Sequence, residues 1–353
     1  MKKLILGLCA LTLLVVACQD DTNDSFNNEN LSKIEVDMSD FFVYTDTNES
    51  SKSASENERK CHSMKVLNKK LNQNPGLEQK MYNIEKHTRK AIALKAENAK
   101  GKPGNGGGGN DPVPYVGSVN IPVVVNILED PAHPVTQSHI DSQIAILNAD
   151  FNNNNPNTSG VPAEFAGLVA NSDITYTLVS VVRKASTKAT WGTNDAMKDS
   201  SQGGIDATDS STHLNIWVCE IGGGILGYAQ FPGGSAATDG VVIGSDFFGE
   251  NTAGGVYGHG RTATHEVGHW LNLRHIWGDG RCRQDDFVAD TPSSDGPNYQ
   301  CPTYPTVNCK SNDMTMNYMD YVYDDCMYMF TTGQDDRMRA LFTVGGAKET
   351  FVN

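Results

Sequence analysis

The sequence predicts an α+β fold with a mixed sheet for the larger part of this 353-residue chain. Apolar runs at 121–127 and 174–182 have the length and β-branched content of buried strands. Between them, apolar residues recur at three- and four-residue steps over 140–151, which indicates a helix. Short strands are predicted at 214–221, 227–231 and 241–243. This order of elements, followed by a last helix, is typical of α+β proteins.

The composition excludes several classes of protein. The chain carries 28 Lys and Arg against 42 Asp and Glu, a formal net charge of −14, whereas nucleic-acid binders need a basic face. Its hydrophobic content of 38% is too high for a wholly disordered chain and too low for a protein with many membrane spans. We therefore expect a globular protein with no nucleic-acid partner.

The N-terminus is predicted to direct export. Residues 1–17 begin with two lysines after Met1 and continue with a 13-residue apolar stretch, too short to span a bilayer but typical of a signal peptide. The stretch ends at Ala17-Cys18, which resembles a bacterial lipobox, in which the cysteine becomes the acylated first residue. We expect a lipoprotein anchored through Cys18 to the outer membrane or cell surface. An ordinary signal peptide cleaved nearby is the alternative.

Four further segments follow the signal peptide. Residues 18–58 are rich in Asn, Ser, Asp and Glu, which predicts a flexible tether. Residues 59–101 have helical periodicity that is interrupted at Pro75-Gly76. Residues 102–118 are a glycine-rich linker open to proteases, and the main domain is predicted at 119–353.

Charge is divided sharply between these segments. The net charge is −9 over residues 19–58, +9 over residues 59–102 and −16 over residues 103–353. A basic helical segment next to an acidic domain has two explanations. Its basic side chains are solvated, or the segment docks on the domain.

The sequence HEVGH at 265–269 is the motif that carries chemistry. On a helix, His265 and His269 lie one turn apart on one face, where they can give two nitrogen ligands to zinc. Glu266 then lies beside the metal and can take a proton from water. Alone the motif is only moderately specific, and a pair of surface histidines is the alternative.

A third histidine follows six residues later. The helix must end near Asn272 for His275 to reach the metal, and asparagine is second only to glycine in adopting the positive φ that this break needs. Three histidines leave one position open for water, as in catalytic zinc sites. Met319, within NYMDY at 317–321, fits the methionine-containing turn that accompanies such helices in metzincins.

These motifs resemble those of the pappalysin family of metzincin metalloproteases. The resemblance covers about 59–345 and rests on THEVGHWL at 264–271 and NYMDY at 317–321. It extends to NIPVVV at 120–125, GYA at 227–229, DTP at 290–292, and FTTGQ at 330–334 with Arg337-Met338. Asn272 departs from the family, where glycine is usual. The resemblance implies a metzincin-like catalytic domain with a mixed twisted sheet, a zinc-binding helix and a C-terminal subdomain that contains the Met-turn.

The resemblance also implies a role for each matching residue. The ligands of one catalytic zinc would be His265, His269 and His275. Glu266 would be the general base toward water and then the acid toward the leaving amine. Met319 would form an apolar floor beneath the metal, and residues 228–231 would belong to the sheet edge that aligns an extended peptide. Tyr321 would stabilise the oxyanion; a buried turn aromatic is the alternative.

Asp324 is the candidate for substrate specificity. In relatives, the matching acidic residue lines the primed-side pocket and favours a basic residue just after the scissile bond. The resemblance therefore implies cleavage before Arg or Lys. An exposed turn carboxylate is the alternative.

The eight cysteines divide by role. Four of them follow the zinc-binding helix, and four cysteines allow three pairings. The family pattern favours two disulfides, Cys282–Cys309 and Cys301–Cys326, in a compartment that permits them. Cys219 lies in an apolar strand and is predicted to be a buried thiol. Cys9 lies in the signal peptide.

Cys61 begins the basic segment, where the family places a cysteine. Its thiolate could occupy the fourth zinc position and displace water, which would make 59–101 an inhibitory prosegment. Cleavage near 100–118 would then activate the enzyme. His62 stands where the family usually has glycine, and a stray thiol is the alternative.

The loop at 285–291 is rich in oxygen ligands, and the family often binds calcium here. Asp286 and Thr291 are the candidate ligands for a structural calcium ion. A solvated acidic loop is the alternative.

The predicted function is an exported zinc endopeptidase made as a latent zymogen. Its partners would be protein or peptide substrates and its own prosegment. The first alternative is a non-catalytic surface lipoprotein that binds protein ligands on the same fold, although such a protein has no need of Glu266. The second is a zinc hydrolase that acts on something other than peptides.

Overall fold

The computed structural model describes residues 34–45, 58–100 and 115–352. The predicted signal peptide, Cys9, Cys18 and most of the linker lie outside the described residues. Within the described ranges, none of the helices combines the length and the apolar character that crossing a membrane requires.

A five-stranded mixed sheet forms the centre of the domain. Its order is β2-β1-β3-β5-β4. The strands are β1 (Val119–Glu129), β2 (Ile174–Ala185), β3 (Leu214–Cys219), β4 (Gly227–Ala229) and β5 (Val241–Gly244). All are parallel to their neighbours except β4, the antiparallel edge strand. Strands β3 and β5 are buried along their whole length, as strands covered on both faces are. The predicted α+β class is confirmed.

Two helices of the domain contact this sheet and each other. Helix α3 (Gln137–Phe151) packs against β2, and helix α4 (Arg261–Trp270) packs against β4 and β5. Helix α3 begins with a capping box at Thr136 and His139, and its apolar residues Ile140, Leu147 and Phe151 are buried. Helix α4 is buried at every position, so the HEVGH motif is part of the core rather than of the surface.

Two helices that precede β1 lie on the domain. They are α1 (Ser63–Gln73) and α2 (Leu77–Lys100). The chain turns between them at Gly76, whose φ is 93°, as Pro75-Gly76 predicts. Helix α1 contacts β4, and helix α2 contacts α5 (Thr332–Ala340). In the structure the basic segment is docked on the domain, which is the second of the two explanations for the charge asymmetry.

Residues 34–45 differ from the predicted flexible tether. Val43 is 2% exposed and packs with Met64 and Leu67 of α1. The backbone carbonyl of Phe42 accepts a hydrogen bond from Arg274 at 2.5 Å. The polar composition of 18–58 as a whole conceals this short apolar run, which has enough surface to bury. We call residues 34–45 the strap.

The segment between α4 and α5 is mostly irregular and is held by two disulfides. Cys282 is bonded to Cys309, and Cys301 to Cys326, the pairing that the resemblance implies. Two short strand pairs lie here: β6 (Tyr299–Gln300) with β9 (Tyr321–Val322), and β7 (Val307–Asn308) with β8 (Ser311–Asn312). Cys219 in β3 is a buried free thiol, as predicted.

Candidate active site

Helix α4 ends where His275 must turn back. Its last residue is Trp270, and Asn272 has a φ of 70°. The N–H of Leu273 donates to the carbonyl of Gly268 at 2.9 Å, which closes the helix end around a left-handed residue. Asparagine thus makes the turn for which the family usually has glycine.

Three imidazoles converge through their Nε2 atoms. The Nε2 atoms of His269 and His275 are 3.1 Å apart, and the His265 ring centroid lies 4.8 Å from that of His269. Each Nδ1 lies against an oxygen: His265 against the Tyr318 carbonyl at 2.7 Å, His269 against the Leu273 carbonyl at 2.8 Å, and His275 against the Asp279 carboxylate. An Nδ1–H that donates leaves Nε2 as a lone pair. Three lone pairs therefore face one another.

This donor set fits a zinc ion. The Nε2 of His265 is buried and has no hydrogen-bond partner among the described residues. Burial, and then the neighbouring imidazoles, lower the pKa of both His265 and His269 well below the usual value, so these rings are neutral. Neutral imidazoles that converge in this way need a cation between them, and three histidines are a common zinc ligand set.

Cys61 lies at the same point. Its Sγ is 3.6 Å from His269 Nε2, and with the three histidines it forms a group whose ligand atoms all lie within 4.8 Å of one another. Burial and the Glu266 carboxylate raise the pKa of the thiol well above its usual value, so a thiolate needs a nearby cation. Sequence positions far apart are thus brought to one centre.

The backbone around Cys61 extends the sheet edge. Cys61 pairs in parallel with Gly227 at the start of β4, and the His62 N–H donates to the Gly227 carbonyl at 3.1 Å. His62 therefore does not prevent the close approach that glycine allows in the family. A Cβ on Gly227 would lie 2.9 Å from the Val242 carbonyl, so this edge needs glycine. The Tyr228 side chain is buried, so residues 228–231 offer backbone groups rather than this side chain at the sheet edge.

Glu266 is enclosed by the segment that carries Cys61. Ser63 Oγ donates to Glu266 Oε2 at 2.7 Å and accepts the Ala229 N–H at 2.7 Å. Burial raises the pKa of Glu266 to about 7, although hydrogen bonds from Ser63 and Cys61 lower it. Ser63 was not predicted from the sequence, because no motif marks a serine two residues after the cysteine.

Met319 lies directly against helix α4. A Cβ on Gly268 would be 2.5 Å from Met319 Sδ, so the glycine of HEVGH allows the two elements to meet. Tyr321 follows in β9 and is buried. Its hydroxyl donates to the Cys61 carbonyl at 3.4 Å, and its ring centroid is 4.9 Å from that of His275. The tyrosine therefore contacts both the histidine site and the segment that covers it.

Asp324 is buried, which excludes an exposed turn carboxylate. It accepts the N–H groups of His259 at 3.0 Å and Arg261 at 3.2 Å. Its other oxygen pairs with the guanidinium of Arg59, and both side chains are at most 1% exposed. Arg59 was not predicted from the sequence. A hint was available, because a basic residue lies two positions before Cys61 and the resemblance implies an acidic pocket for basic side chains.

A second buried ion pair joins the N-terminal segment to the domain. Glu85 of α2 faces Arg337 of α5 in a bidentate pair, with Oε1···Nη1 at 3.1 Å and Oε2···Nη2 at 2.8 Å. Burial alone would raise the pKa of Glu85, but Arg337 and then Arg89 lower it to about 2. Arg337 also donates to the carbonyl of Asn272 at 3.4 Å, so it supports the turn that ends helix α4.

The structure gives no support for the predicted calcium site at Asp286 and Thr291. Asp286 is buried, and both its carboxylate oxygens lie within 2.9 Å of the Thr291 hydroxyl. Where the structure describes the chain, two groups of His, Cys, Asp or Glu are close enough to share a metal ion, and neither includes Asp286. The alternative, a solvated acidic loop, does not hold at Asp286 either, because that side chain is buried.

The fold and this site define the class: a metalloprotease with a metzincin-like catalytic domain. The family profile described as pregnancy-associated plasma protein-A, the pappalysin profile, matches residues 205–343. An extracellular metalloprotease of Sordaria macrospora is 32% identical over 216 residues, which cover 59% of this chain and 68% of that protein. Extracellular metalloprotease 1 of Coccidioides posadasii is 39% identical over 136 residues, 36% of this chain and about half (49%) of that relative. The chain belongs to the pappalysin family of metalloproteases.

Two solved structures have a similar fold. Mature mirolysin of Tannerella forsythia, in complex with a cleaved peptide, has a TM-score of 0.65 and 40% identity, over 67% of this chain and 96% of that one. A promirolysin mutant has a TM-score of 0.71 and 34% identity, over 83% of this chain and 97% of that one. The precursor therefore matches more of this chain than the mature enzyme does.

Proposed function

We propose that this chain is an exported zinc endopeptidase made as a latent precursor. The observation that carries the proposal is the convergence of three histidine Nε2 atoms with a buried glutamate beside them and a cysteine at the same point. His265, His269 and His275 would hold the ion. When bound there, zinc supplies Lewis-acid chemistry. The names of the fungal relatives, extracellular metalloproteases, support export.

Glu266 is positioned to move the proton. Its Oε2 lies 3.5 Å from Cys61 Sγ, so a water that replaces the thiol lies within its reach. A carboxylate in this position can accept a proton from the attacking water and return it to the leaving amine. Tyr321, whose hydroxyl reaches the Cys61 carbonyl, would donate to a substrate carbonyl as negative charge develops there.

The proposed specificity is for a basic residue just after the scissile bond. Asp324 holds a fixed negative charge in a buried site, with two backbone N–H groups that orient it. Arg59 occupies that site in the precursor, and a substrate arginine or lysine would take its place. Because a basic side chain is already accommodated there, the pocket has both the length and the charge for one. An extended substrate would pair with β4, the edge strand.

The proposed latency is a cysteine switch at Cys61 within a prosegment of 59–101. Cleavage in 102–118 would begin activation and separate the catalytic domain, 119–353, from the tether. The match to a promirolysin structure supports a precursor form. The lipid anchor at Cys18 and a calcium ion near Asp286 and Thr291 stay predictions.

The test uses the 19–353 precursor with a denatured protein substrate, with and without a zinc chelator. We expect a self-cleaved species that begins near 100–118, loss of cleavage on chelation, and new substrate N-termini that begin with Arg or Lys. The matched control is Glu266→Gln, which should bind zinc but cut nothing. If the protein binds zinc and still cuts nothing after limited trypsin has removed the prosegment, the non-catalytic binding protein becomes the better description.

A further inference from the structure

A second group of metal-ligating side chains lies at one edge of the central sheet. His133 comes shortly after β1, Glu220 directly after β3 and Asp246 shortly after β5. These three strands are parallel neighbours in the sheet. Because the carboxyl ends of parallel strands meet at the same edge, side chains separated by up to 113 residues converge there.

The three side chains converge closely enough to share an ion. One ligand atom from each lies within 4.8 Å of the other two. His133 Nδ1 is 2.9 Å from Asp246 Oδ2 and 3.8 Å from Glu220 Oε2. The side chains of His133, Asp246 and Glu220 are 31%, 23% and 24% exposed, so the site is partly sheltered and still reachable from solvent.

The charge of the group is unbalanced. In the ion pairs of the described residues, His133 is the sole basic partner of Glu220 and of Asp246. A third carboxylate, Asp130, adds to the negative field: burial raises the pKa of Glu220, His133 lowers it, and Asp246 and Asp130 raise it further. Asp130 also accepts the backbone N–H of Ala132 at 2.9 Å, which fixes the turn that carries the imidazole. A single imidazole thus faces a concentration of negative charge.

We propose that His133, Glu220 and Asp246 form a second metal site that binds Zn²⁺. One imidazole nitrogen and two carboxylate oxygens suit a borderline cation such as Zn²⁺, whereas Ca²⁺ prefers six to eight oxygen ligands. The ion would replace the Nδ1 proton that His133 shares with Asp246, and water would complete the coordination on the exposed side. None of the three residues belongs to the group formed by Cys61 and the three catalytic-site histidines.

Such an ion would join the ends of three strands that scaffold the active site. Asp246 lies in the connection from β5 to helix α4, which carries the HEVGH motif. An ion held between this connection and the ends of β1 and β3 would restrain the approach to that helix. The role of this second site is structural, and it holds whether or not the proposed peptidase activity is correct.

The test counts metal ions in the 19–353 precursor carrying Glu266→Gln, which prevents self-cleavage and leaves the catalytic-site ligands intact. After loading with Zn²⁺ and removal of free metal, elemental analysis is expected to give two ions per chain. His133→Ala or Asp246→Asn should reduce the content to one. The matched control is His213→Ala, which removes a partly exposed histidine outside the group. Circular dichroism establishes that each variant is folded, and Glu220→Gln serves if one is not.

Either of two results would overturn the proposal. The first is a single ion per chain in the parent protein that is retained in His133→Ala, which would leave His133 as an ion-pair partner of Asp246 and Glu220. The second is two ions in the parent and still two in every variant of the group, which would place the second ion elsewhere. Because the readout is metal content, its failure is separate from a failure to find proteolysis.

Discussion

Replacing Glu85 by alanine is expected to weaken latency without altering the catalytic domain. Glu85 and Arg337 form a bidentate pair whose side chains are 4% and 2% exposed. In the variant, the Arg337 guanidinium would remain buried beneath α2 without its counter-charge. Since Glu85 belongs to the proposed prosegment, the mature domain would be identical in the parent and the variant.

The magnitude follows from the burial of this pair. Removing one partner of a buried salt bridge costs about 3–5 kcal/mol, because the other charge is left uncompensated. Since about 1.4 kcal/mol corresponds to a tenfold change, the equilibrium between docked and undocked prosegment should shift by roughly two to three and a half powers of ten. A precursor that is almost wholly latent would then show measurable activity before any cleavage.

The assay is the initial rate of peptide hydrolysis by uncut precursor, together with the rate at which trypsin removes the prosegment. Both rates should rise in Glu85→Ala. The matched control is Glu97→Ala, an exposed glutamate on the same helix with the same change in charge, which should behave like the parent. If Glu85→Ala remains as latent and as trypsin-resistant as Glu97→Ala, the buried pair contributes nothing to latency.

Four further outcomes are expected. Cys61→Ala should be active before processing, and a precursor that stays fully latent would contradict the switch. Asp324→Asn should lower kcat/KM for substrates with a basic residue after the scissile bond by roughly 10²-fold or more and spare neutral ones, because it removes a buried charge partner. Tyr321→Phe should lower kcat by roughly 10²-fold with little change in KM, measured on the mature enzyme. Docking lowers the pKa of Glu85 from 4.5 to about 2, so its contribution to the free energy of unfolding is complete above about pH 4.5 and declines as pH falls toward 2. Unfolding measured at a series of acidic pH values, without trypsin, should therefore show a shallower loss of stability for Glu85→Gln than for the parent.

The convergence of the histidines was predictable because its information is local. Helical spacing places His265 and His269 on one face, and a residue that tolerates positive φ is needed where the helix ends. Asn272 meets that need with a φ of 70°. Similarly, Pro75-Gly76 marks the turn between α1 and α2, because those residues set backbone angles directly.

The charge pairs were not predictable, because topology selects their partners. Arg59 and Asp324 are 265 residues apart, and Glu85 and Arg337 are 252 apart. The net charges predict attraction between the segment and the domain, but many basic and acidic residues satisfy that condition equally well. The group at His133 has the same origin, since it exists only because β1, β3 and β5 are neighbours in this strand order. The strap was missed for another reason: its few apolar residues are diluted in a polar stretch.

The precursor contacts divide into two kinds, with different consequences for regulation. Arg59, Cys61 and Ser63 each engage a group that the proposed reaction uses: Asp324, the histidine site and Glu266. Loss of Cys61 would open the metal position, whereas loss of Arg59 or Ser63 would leave the thiol in place. In contrast, the strap and Glu85 hold the prosegment without contacting those groups. A cut within 102–118 leaves both kinds of contact in place, so the severed prosegment should remain bound as an inhibitor. Full activation therefore requires a further cut, or dissociation, that releases the contacts made by the strap and α2.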